Sequence, residues 1–304
     1  MKIAYISCHD YAKYSVGYQD EESLLLDFLL RKGLDIERRV WNDITVDWKQ
    51  YDVAILKSPW DYHEYIEHFH FWLDTLEASG VRLLNPVETV RWNSDKHYLQ
   101  DIAKSGMRVI PTLFVERGTT PDLLHYFEQL QAERVILKPC ISAGAKNILT
   151  IDRDDIKGKQ AEIERLLLAE SYIVQPFMEE IFAGEWSYIF FNGKFSHCIL
   201  NVPGDGDFRV QHYHGGSTKA AEAELTHIES ATAYVMQFGN GSLYTRVDGI
   251  IRNGQFHLME LELIEPYLYL DTHPGVCEHF YSALLHLTDQ ISIDIPQPLS
   301  KDLV

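Results

Sequence analysis

Two Asn-Gly dipeptides, Asn192-Gly193 and Asn253-Gly254, each separate a pair of long runs rich in β-branched, aromatic and alternating apolar residues. Asn-Gly tolerates the left-handed backbone of a tight hairpin turn, so it predicts that 186–191 pairs with 194–201, and 245–252 with 255–264. The last third of the chain is thereby committed to an antiparallel sheet, with helices expected at 222–237 and 276–291 to cover it. The first 86 residues follow another rule. A strand at 2–7, an amphipathic helix at 20–32, strands at 35–41 and 52–57 and a helix at 62–78 alternate as in a mostly parallel sheet with helices packed on it. Asn93-Ser94-Asp95 then supply cap residues for a helix carrying Lys96 that stops at Gly106. Beyond it lies a compact unit with strands at 112–115, 134–138, 147–151 and 172–175, a Pro-initiated helix at 121–130 and a polar helix at 160–169. The fold class is α/β, α+β in part, with units expected at 1–92, 93–176 and 177–304.

With 304 residues, 46% of them hydrophobic and 24% charged, the chain can bury a large core spread over more than one domain. Lysine plus arginine total 27 against 45 acidic residues, a net charge of −18, and no Lys/Arg-rich run occurs. That balance argues against general nucleic-acid binding and against attraction to an anionic membrane. No apolar stretch approaches the roughly 20 residues that cross a bilayer. Met1 to Cys8 reads as a buried first strand rather than a signal peptide. Four scattered cysteines without a C-x-x-C pair argue against a disulfide framework or a cysteine zinc site and fit a reducing cytoplasm.

Chemistry concentrates in Leu258-Met259-Glu260-Leu261-Glu262-Leu263-Ile264-Glu265-Pro266. In a strand, Glu260 and Glu262 share one face while Leu261 and Leu263 point to the other. Such a face is either a solvated exterior or a hard-oxygen site for Mg²⁺. Asp248 on the partner strand decides between them. A two-residue turn at Asn253-Gly254 with regular pairing sets Asp248 opposite Met259, away from the glutamates. A three-residue loop ending at Gly254 sets it opposite Leu258, on the face of Glu260. The metal reading therefore predicts the three-residue loop. Lys138 ends a strand and precedes Ser142-Ala143-Gly144-Ala145, small residues that let backbone N–H groups approach phosphate oxygens; the alternative is an ordinary surface lysine. No Walker-type or G-x-G-x-x-G motif is present. Val174-Gln175-Pro176-Phe177-Met178, followed by Gly184-Glu185, is either a hinge or a seam where main-chain groups hold a planar base and a carboxylate meets ribose hydroxyls. Arg209, among Gly204, Gly206, Gly215 and Gly216, suits a bidentate anion binder on a loop, whereas His212 and His214 fit hydrogen-bonding roles better than metal ligation.

Taken in order, Lys96, Lys138 with its small-residue loop, 175–178, Gly184-Glu185, Asp207-Phe208-Arg209-Val210-Gln211, Arg246-Val247-Asp248 and the E-L-E-L-I-E-P run resemble the ATP-grasp superfamily, in particular its glutathione-synthetase-like and cycloserine-ligase-like members. Asp20-Glu21 and Ser58 with Trp60-Asp61-Tyr62 look like that family's pre-grasp domain. The resemblance covers nearly the whole chain. It implies an N-terminal pre-grasp parallel α/β domain, a small α+β lid and a C-terminal antiparallel-sheet domain. It further implies that Lys96 and Lys138 hold the ATP α- and β-phosphates, that Ser142, Ala143 and Gly144 close over them, and that the Pro176 carbonyl and Met178 N–H, flanked by Gln175 and Phe177, read adenine. Glu185 would bind ribose. Asp248, Glu260 and Glu262 would bind two Mg²⁺ ions, with Mn²⁺ able to substitute, while Arg209 and Arg246, with Lys138, would act at the reacting phosphate. Asp20, Lys57, Trp60 and Tyr62 would face the substrates. Glu262 stands where glutathione synthetases carry Asn, and Lys57 where cycloserine-ligase-like members carry Arg.

The expected activity is ADP-forming ligation of a small carboxylate to an amine through an acyl phosphate, either between two molecules or as a cyclisation. The alternatives are phosphotransfer to a hydroxyl and a nucleotide-binding regulatory module without turnover. Small molecules are the expected partners, and a homodimer is the default assembly.

Overall fold

The computed structural model describes residues 1–10, 20–142, 147–210 and 214–294. Strands β1 (Lys2–Ser7), β2 (Asp35–Val40), β3 (Val53–Ser58) and β4 (Arg82–Leu83) form a parallel sheet in the order β2-β1-β3-β4. The central strands β1 and β3 are buried almost throughout, which is why they read as unbroken apolar runs. Helix α1 (Glu21–Arg31) starts where the Asp20 carboxylate accepts the Ser23 N–H at 3.0 Å. Helix α2 (Ile66–Ser79), preceded by a 3₁₀ turn at Tyr62–Tyr65, ends on Gly80 at φ 74°, a left-handed residue that closes the last turn.

The helix expected to start at Asn93-Ser94-Asp95 begins later, and a separate short helix ends on Asn93. Helix α3 (Val87–Asn93) follows Pro86, and α4 (Tyr98–Lys104) begins only after a turn that contains Lys96. The turn persists because the Lys96 N–H is donated to the Cys140 carbonyl at 2.8 Å rather than to a helical carbonyl. Asn93 is therefore not a cap, and its amide serves elsewhere.

A small antiparallel sheet follows, in the order β5-β8-β6-β7: β5 (Leu113–Val115), β6 (Arg134–Pro139), β7 (Leu149–Asp152) and β8 (Tyr172–Pro176). Helix α5 (Leu123–Leu130) begins two residues past Pro121 because Asp122 caps it, and α6 (Ile156–Leu167) begins earlier than its polar sequence indicated. Val135, Leu137 and Val174 point at these helices and share a core with Phe127 and Ile163. Strand alternation turns Ile136, Lys138 and Gln175 to the opposite face.

The largest sheet runs β11-β10-β9-β12-β13, with β9 (Glu185–Phe191), β10 (Lys194–Val202), β11 (Ser217–Ala221), β12 (Tyr244–Arg252) and β13 (Gln255–Glu262). Helix α7 (Leu225–Phe238) buries Ala231, Tyr234 and Val235 against Tyr188, Phe190 and Val247 on one face. On the other face Ile189, Phe191, Ile199 and Tyr244 join the core of the parallel sheet, together with Phe280 and Leu284 of α8 (Val276–Asp294). Strands β4 and β11 and helix α3 were not anticipated. Among the described residues no helix is long and apolar enough to cross a membrane.

The β12–β13 hairpin corrects the expected register. Arg252 pairs with Gln255 across a two-residue turn in which Asn253 and Gly254 have φ of 52° and 73°, so the three-residue loop does not form. Pairing continues to Gly249 with Leu258, then slips: Asp248 faces Glu260, and Met259 is left over as a bulge. The bulge restores what the longer loop would have supplied, with Asp248 and Glu260 directly opposite on one face. Gly249 makes it possible, because a Cβ there would run into the His257 carbonyl oxygen and lie 2.6 Å from the Phe256 ring. Gly249→Ala is expected to destabilise the fold by about 1–3 kcal/mol through this clash, seen as a lower urea midpoint. An unchanged midpoint would show that the bulge does not depend on close approach at Gly249.

Candidate active site

The face of the large sheet that carries the metal candidates is divided. Toward one end Ile189, Phe191 and Tyr244 are core. Toward the other, cross-strand register places Glu185, Ser187, Asn201, Arg246, Asp248, Glu260 and Glu262 on the same side. The small sheet stands over this polar half, presenting Ile136, Lys138 and Gln175.

Two adjoining cavities lie between the sheets. The first is an apolar slot of about 580 Å³ whose walls include Ile110, Ile136, Phe177, Met178, Ile181 and Phe208, with Lys138, Gln175, Pro176, Glu185 and Arg209 at its polar margin. The second, about 830 Å³, is lined by charge: Lys96, Lys138, Glu185, Glu260, Glu262 and Glu265, with Tyr62, Asn93, Ser94 and Ser142. Lys138, Ile148, Glu185 and Met259 belong to both, so the slot opens into the charged cleft.

The charges are interlocked. Lys96 Nζ is 2.9 Å from Glu260 Oε1 and donates to the Ser142 carbonyl at 3.3 Å. Arg246 grips Asp248 through Nε at 3.0 Å and Nη2 at 2.9 Å, reaches Glu262 with the same Nη2, and donates to the Tyr267 carbonyl at 2.9 Å. Arg209 forms a fork with Asp207, at 3.0 Å from Nε to Oδ1 and 2.7 Å from Nη2 to Oδ2, which holds the Asp207 carboxyl well below its usual range. Burial drives the Lys138 ammonium down, outweighing the pull of Glu260 and Glu185. It also pushes the Glu185 carboxyl up to about 8, with Asp248 adding repulsion. Glu265 is likewise pushed up to about 8, by burial and then by Glu260. Glu262 is driven up by burial despite Arg246, whereas Lys96 holds Glu260 down against the same effect.

Four carboxylates, Glu185, Glu260, Glu262 and Glu265, thus line the cleft with two cations, Lys96 and Lys138, and the Asp248–Arg246 pair adjoins them on the same sheet face. The donors on the sheet face are all hard oxygens, and the carboxyls left over are forced toward their neutral forms. This donor set and surplus of negative charge fit a hard divalent cation such as Mg²⁺.

Most of the residues singled out in the sequence converge here: Lys96, Lys138, Ser142, 175–178, Glu185, Arg209, Arg246, Asp248, Glu260, Glu262 and Tyr62. Ala143 and Gly144 lie outside the described residues, as do Gln211 and His212. Of the expected substrate residues, Tyr62 lines the cleft and the other three have partners within the chain. Asp20 caps α1. Lys57 is buried, with Nζ 2.7 Å from Glu21 Oε1 and 3.3 Å from the Pro266 carbonyl. Trp60 Nε1 donates to the Glu265 carbonyl at 3.0 Å. Glu265 was the missed member of the cleft; its signal was a third carboxylate within the same run. Asn93 was missed as well, and no local pattern marks it. Its amide donates to the Leu261 carbonyl at 2.7 Å and accepts the Leu263 N–H at 3.0 Å.

An apolar slot opening onto a carboxylate cleft, both clasped between two antiparallel sheets, defines the ATP-grasp class. Two family models match: the D-cycloserine synthetase DcsG N-terminal domain over residues 3–85, and the prokaryotic glutathione synthetase ATP-grasp domain over residues 102–250. The cycloserine biosynthesis protein DcsG of Streptomyces lavendulae is 30% identical over 277 residues, 86% of this chain and 91% of that protein. A glutathione synthetase of Rhodopseudomonas palustris is 25% identical over 180 residues, 58% of this chain and 54% of the relative. The crystal structure of D-cycloserine synthetase DcsG superposes with a TM-score of 0.79 at 27% identity, covering 94% of this chain and all of that one. A D-alanine–D-alanine ligase from Bacillus anthracis complexed with ATP shares the fold, with a TM-score of 0.71 at 14% identity over 96% of this chain and 98% of that one. The chain belongs to the ATP-grasp family, in the branch with a cycloserine-synthetase-type N-terminal domain.

The raised Glu265 carboxyl sets a pH dependence. The folded chain keeps this proton to about pH 8, while the unfolded chain releases it near the ordinary glutamate value of 4.5. The folded state binds more protons between those values, so stability contributed there is lost as pH rises. In chelator-treated protein, Glu265→Gln is expected to flatten the fall in urea midpoint from pH 5.5 to 8.5 relative to the parent. Parallel curves would show that Glu265 is not the group responsible.

Proposed function

We propose that this chain is an ATP- and Mg²⁺-dependent ligase that forms an amide or peptide-like bond between a small carboxylate and an amine, releasing ADP. The observation that carries the reading is the continuity of the apolar slot with the charged cleft through Lys138, Ile148, Glu185 and Met259. A purine fits the slot between Ile136 and Met259, against Gln175, Pro176, Phe177 and Met178. Glu185, at the junction, meets the ribose hydroxyls. The phosphate chain then runs into the cleft past Lys138 and Lys96, under Ser142 and the segment bearing Ala143 and Gly144. Residues 1–92, 93–176 and 177–304 act as pre-grasp unit, lid and metal-bearing unit.

Asp248, Glu260 and Glu262 would hold two Mg²⁺ ions, for which Mn²⁺ could substitute, and the ions would supply charge neutralisation for the phosphates. Lys96, paired with Glu260, and Arg246, paired with Asp248 and Glu262, are the chain's own cations for the phosphate oxygens. The substrate carboxylate attacks the γ-phosphorus, the bond to the bridging oxygen breaks, and ADP leaves with that electron pair. The amine then adds to the acyl carbon, phosphate departs, and the amine proton is lost to solvent. Arg209 and Arg246 stabilise charge on the transferred phosphoryl and acyl oxygens. The chain supplies position and fixed charge, with no covalent nucleophile.

Incubation with MgATP, hydroxylamine and pools of amino acids and small dicarboxylates is expected to yield ADP and a hydroxamate with one pool. Glu260→Gln should lower kcat by about 10²–10³-fold, the size associated with loss of one charge-stabilising group. AMP as product would overturn the reading, and a stable phosphate ester without hydroxamate would make the chain a kinase.

A further inference from the structure

We propose that Asp95, His97 and Cys140 form a second metal site, selective for a thiophilic divalent ion of the Zn²⁺ type and separate from the carboxylates that face the nucleotide cleft. Among the described residues this is the set of carboxylate, imidazole and thiol groups whose ligand atoms lie within 4.8 Å of one another. The sequence hides it, because Cys140 is far in sequence from a turn that holds the other two and no cysteine pair announces it.

The ligands are held in place before any ion arrives. His97 Nδ1 faces Asp95 Oδ1 at 2.5 Å, and its Nε2 faces Glu116 Oε1 at 3.1 Å. Glu116 is itself fixed by the Ser171 hydroxyl, which donates to Oε2 at 3.1 Å. The imidazole stacks on Phe114 with centroids 4.7 Å apart. A carboxylate behind one ring nitrogen keeps that nitrogen protonated and turns the other toward a metal, the arrangement found around metal-bound histidines. The backbone of Cys140 is tied to both neighbours: its N–H is donated to the Ser171 carbonyl at 2.9 Å, and its carbonyl accepts the Lys96 N–H at 2.8 Å.

The charge arithmetic is neutral. With the ring held between Asp95 at Nδ1 and Glu116 at Nε2, the metal-free group is counted as an imidazolium, a carboxylate and a thiol. A divalent ion replaces the Nδ1 proton and the thiol proton, both of which go to solvent, and the net charge of the cluster is unchanged. Sulfur and nitrogen donors favour Zn²⁺ over Mg²⁺, so the two sites would not compete for the same ion. Three protein ligands leave one position for water on the side where Asp95 and His97 are partly exposed.

The test uses the full chain, stripped with a chelator, reduced and titrated anaerobically with Co²⁺ as a chromophoric stand-in and then with Zn²⁺. One equivalent of Co²⁺ should bind with a thiolate-to-cobalt charge-transfer band that Zn²⁺ abolishes. Cys140→Ser should lose the band and bind Zn²⁺ at least about tenfold more weakly, while Cys277→Ser keeps both. Glu116→Gln should keep the band with affinity lowered roughly 10–100-fold. Should Cys140→Ser fail to fold by circular dichroism, His97→Asn and Asp95→Asn carry the same test. Absence of a charge-transfer band in the folded parent would overturn the proposal. So would a band that survives loss of Cys140, or weak binding of several ions that none of the three ligand substitutions changes. Because metal binding is read directly, failure here is distinct from failure of the ligase assay.

Discussion

Strand β13 carries two of the cleft's carboxylates, Glu260 and Glu262, on the edge of its sheet, and the structure depends on how that edge is held. An edge strand presents a row of backbone groups without partners in the sheet. Here side chains from other parts of the chain take them. Asn93 binds the Leu261 carbonyl and Leu263 N–H, the Tyr98 hydroxyl accepts the Leu261 N–H at 2.9 Å, and Asn85 donates to the Leu263 carbonyl at 2.7 Å. Asn85 also accepts the Leu243 N–H at 2.9 Å and donates to the Tyr244 carbonyl at 3.0 Å, so one buried amide spans the start of β12 and the end of β13. Leaving such a buried group unpaired costs on the order of 1–3 kcal/mol. The register that sets Asp248 against Glu260 is thereby fixed from outside the hairpin as well as by the bulge at Met259.

The same arrangement explains how an acidic chain can gather more acid into one cleft. Lys96 and Arg246 each bind across strands or loops, to Glu260 in one case and to Asp248 and Glu262 in the other. They offset part of the repulsion among these carboxylates, while burial and the repulsion that remains keep Glu185, Glu262 and Glu265 raised.

Much of this was legible in the sequence because it was written in local periodicity. Continuous apolar runs gave β1 and β3, and the Asn-Gly turns gave both hairpins. What escaped was decided over long distances. No pattern near Gly249 announces a bulge one strand away, so the register of Asp248 was assigned to the wrong turn, although on the right face. Asn93 looked like a helix cap because Asn commonly caps helices, yet its partners lie about 170 positions further along the chain. Lys57 looked available to a substrate because nothing in its own strand reveals Glu21 as its partner.

That last pair has a consequence for motion. Glu21 accepts the Leu268 and Leu270 N–H groups at 2.8 and 3.0 Å while binding Lys57, which buckles the parallel sheet to the segment after β13. The two also share one hydrophobic core, whereas the sheet bearing Lys138 has a core of its own and touches the large sheet's second core through Ile173 and Cys140. The carboxylates of β13 are therefore tied to the parallel sheet, and Lys138 is carried by the element with the fewest ties to it: a displacement of the small sheet would move Lys138 relative to those carboxylates.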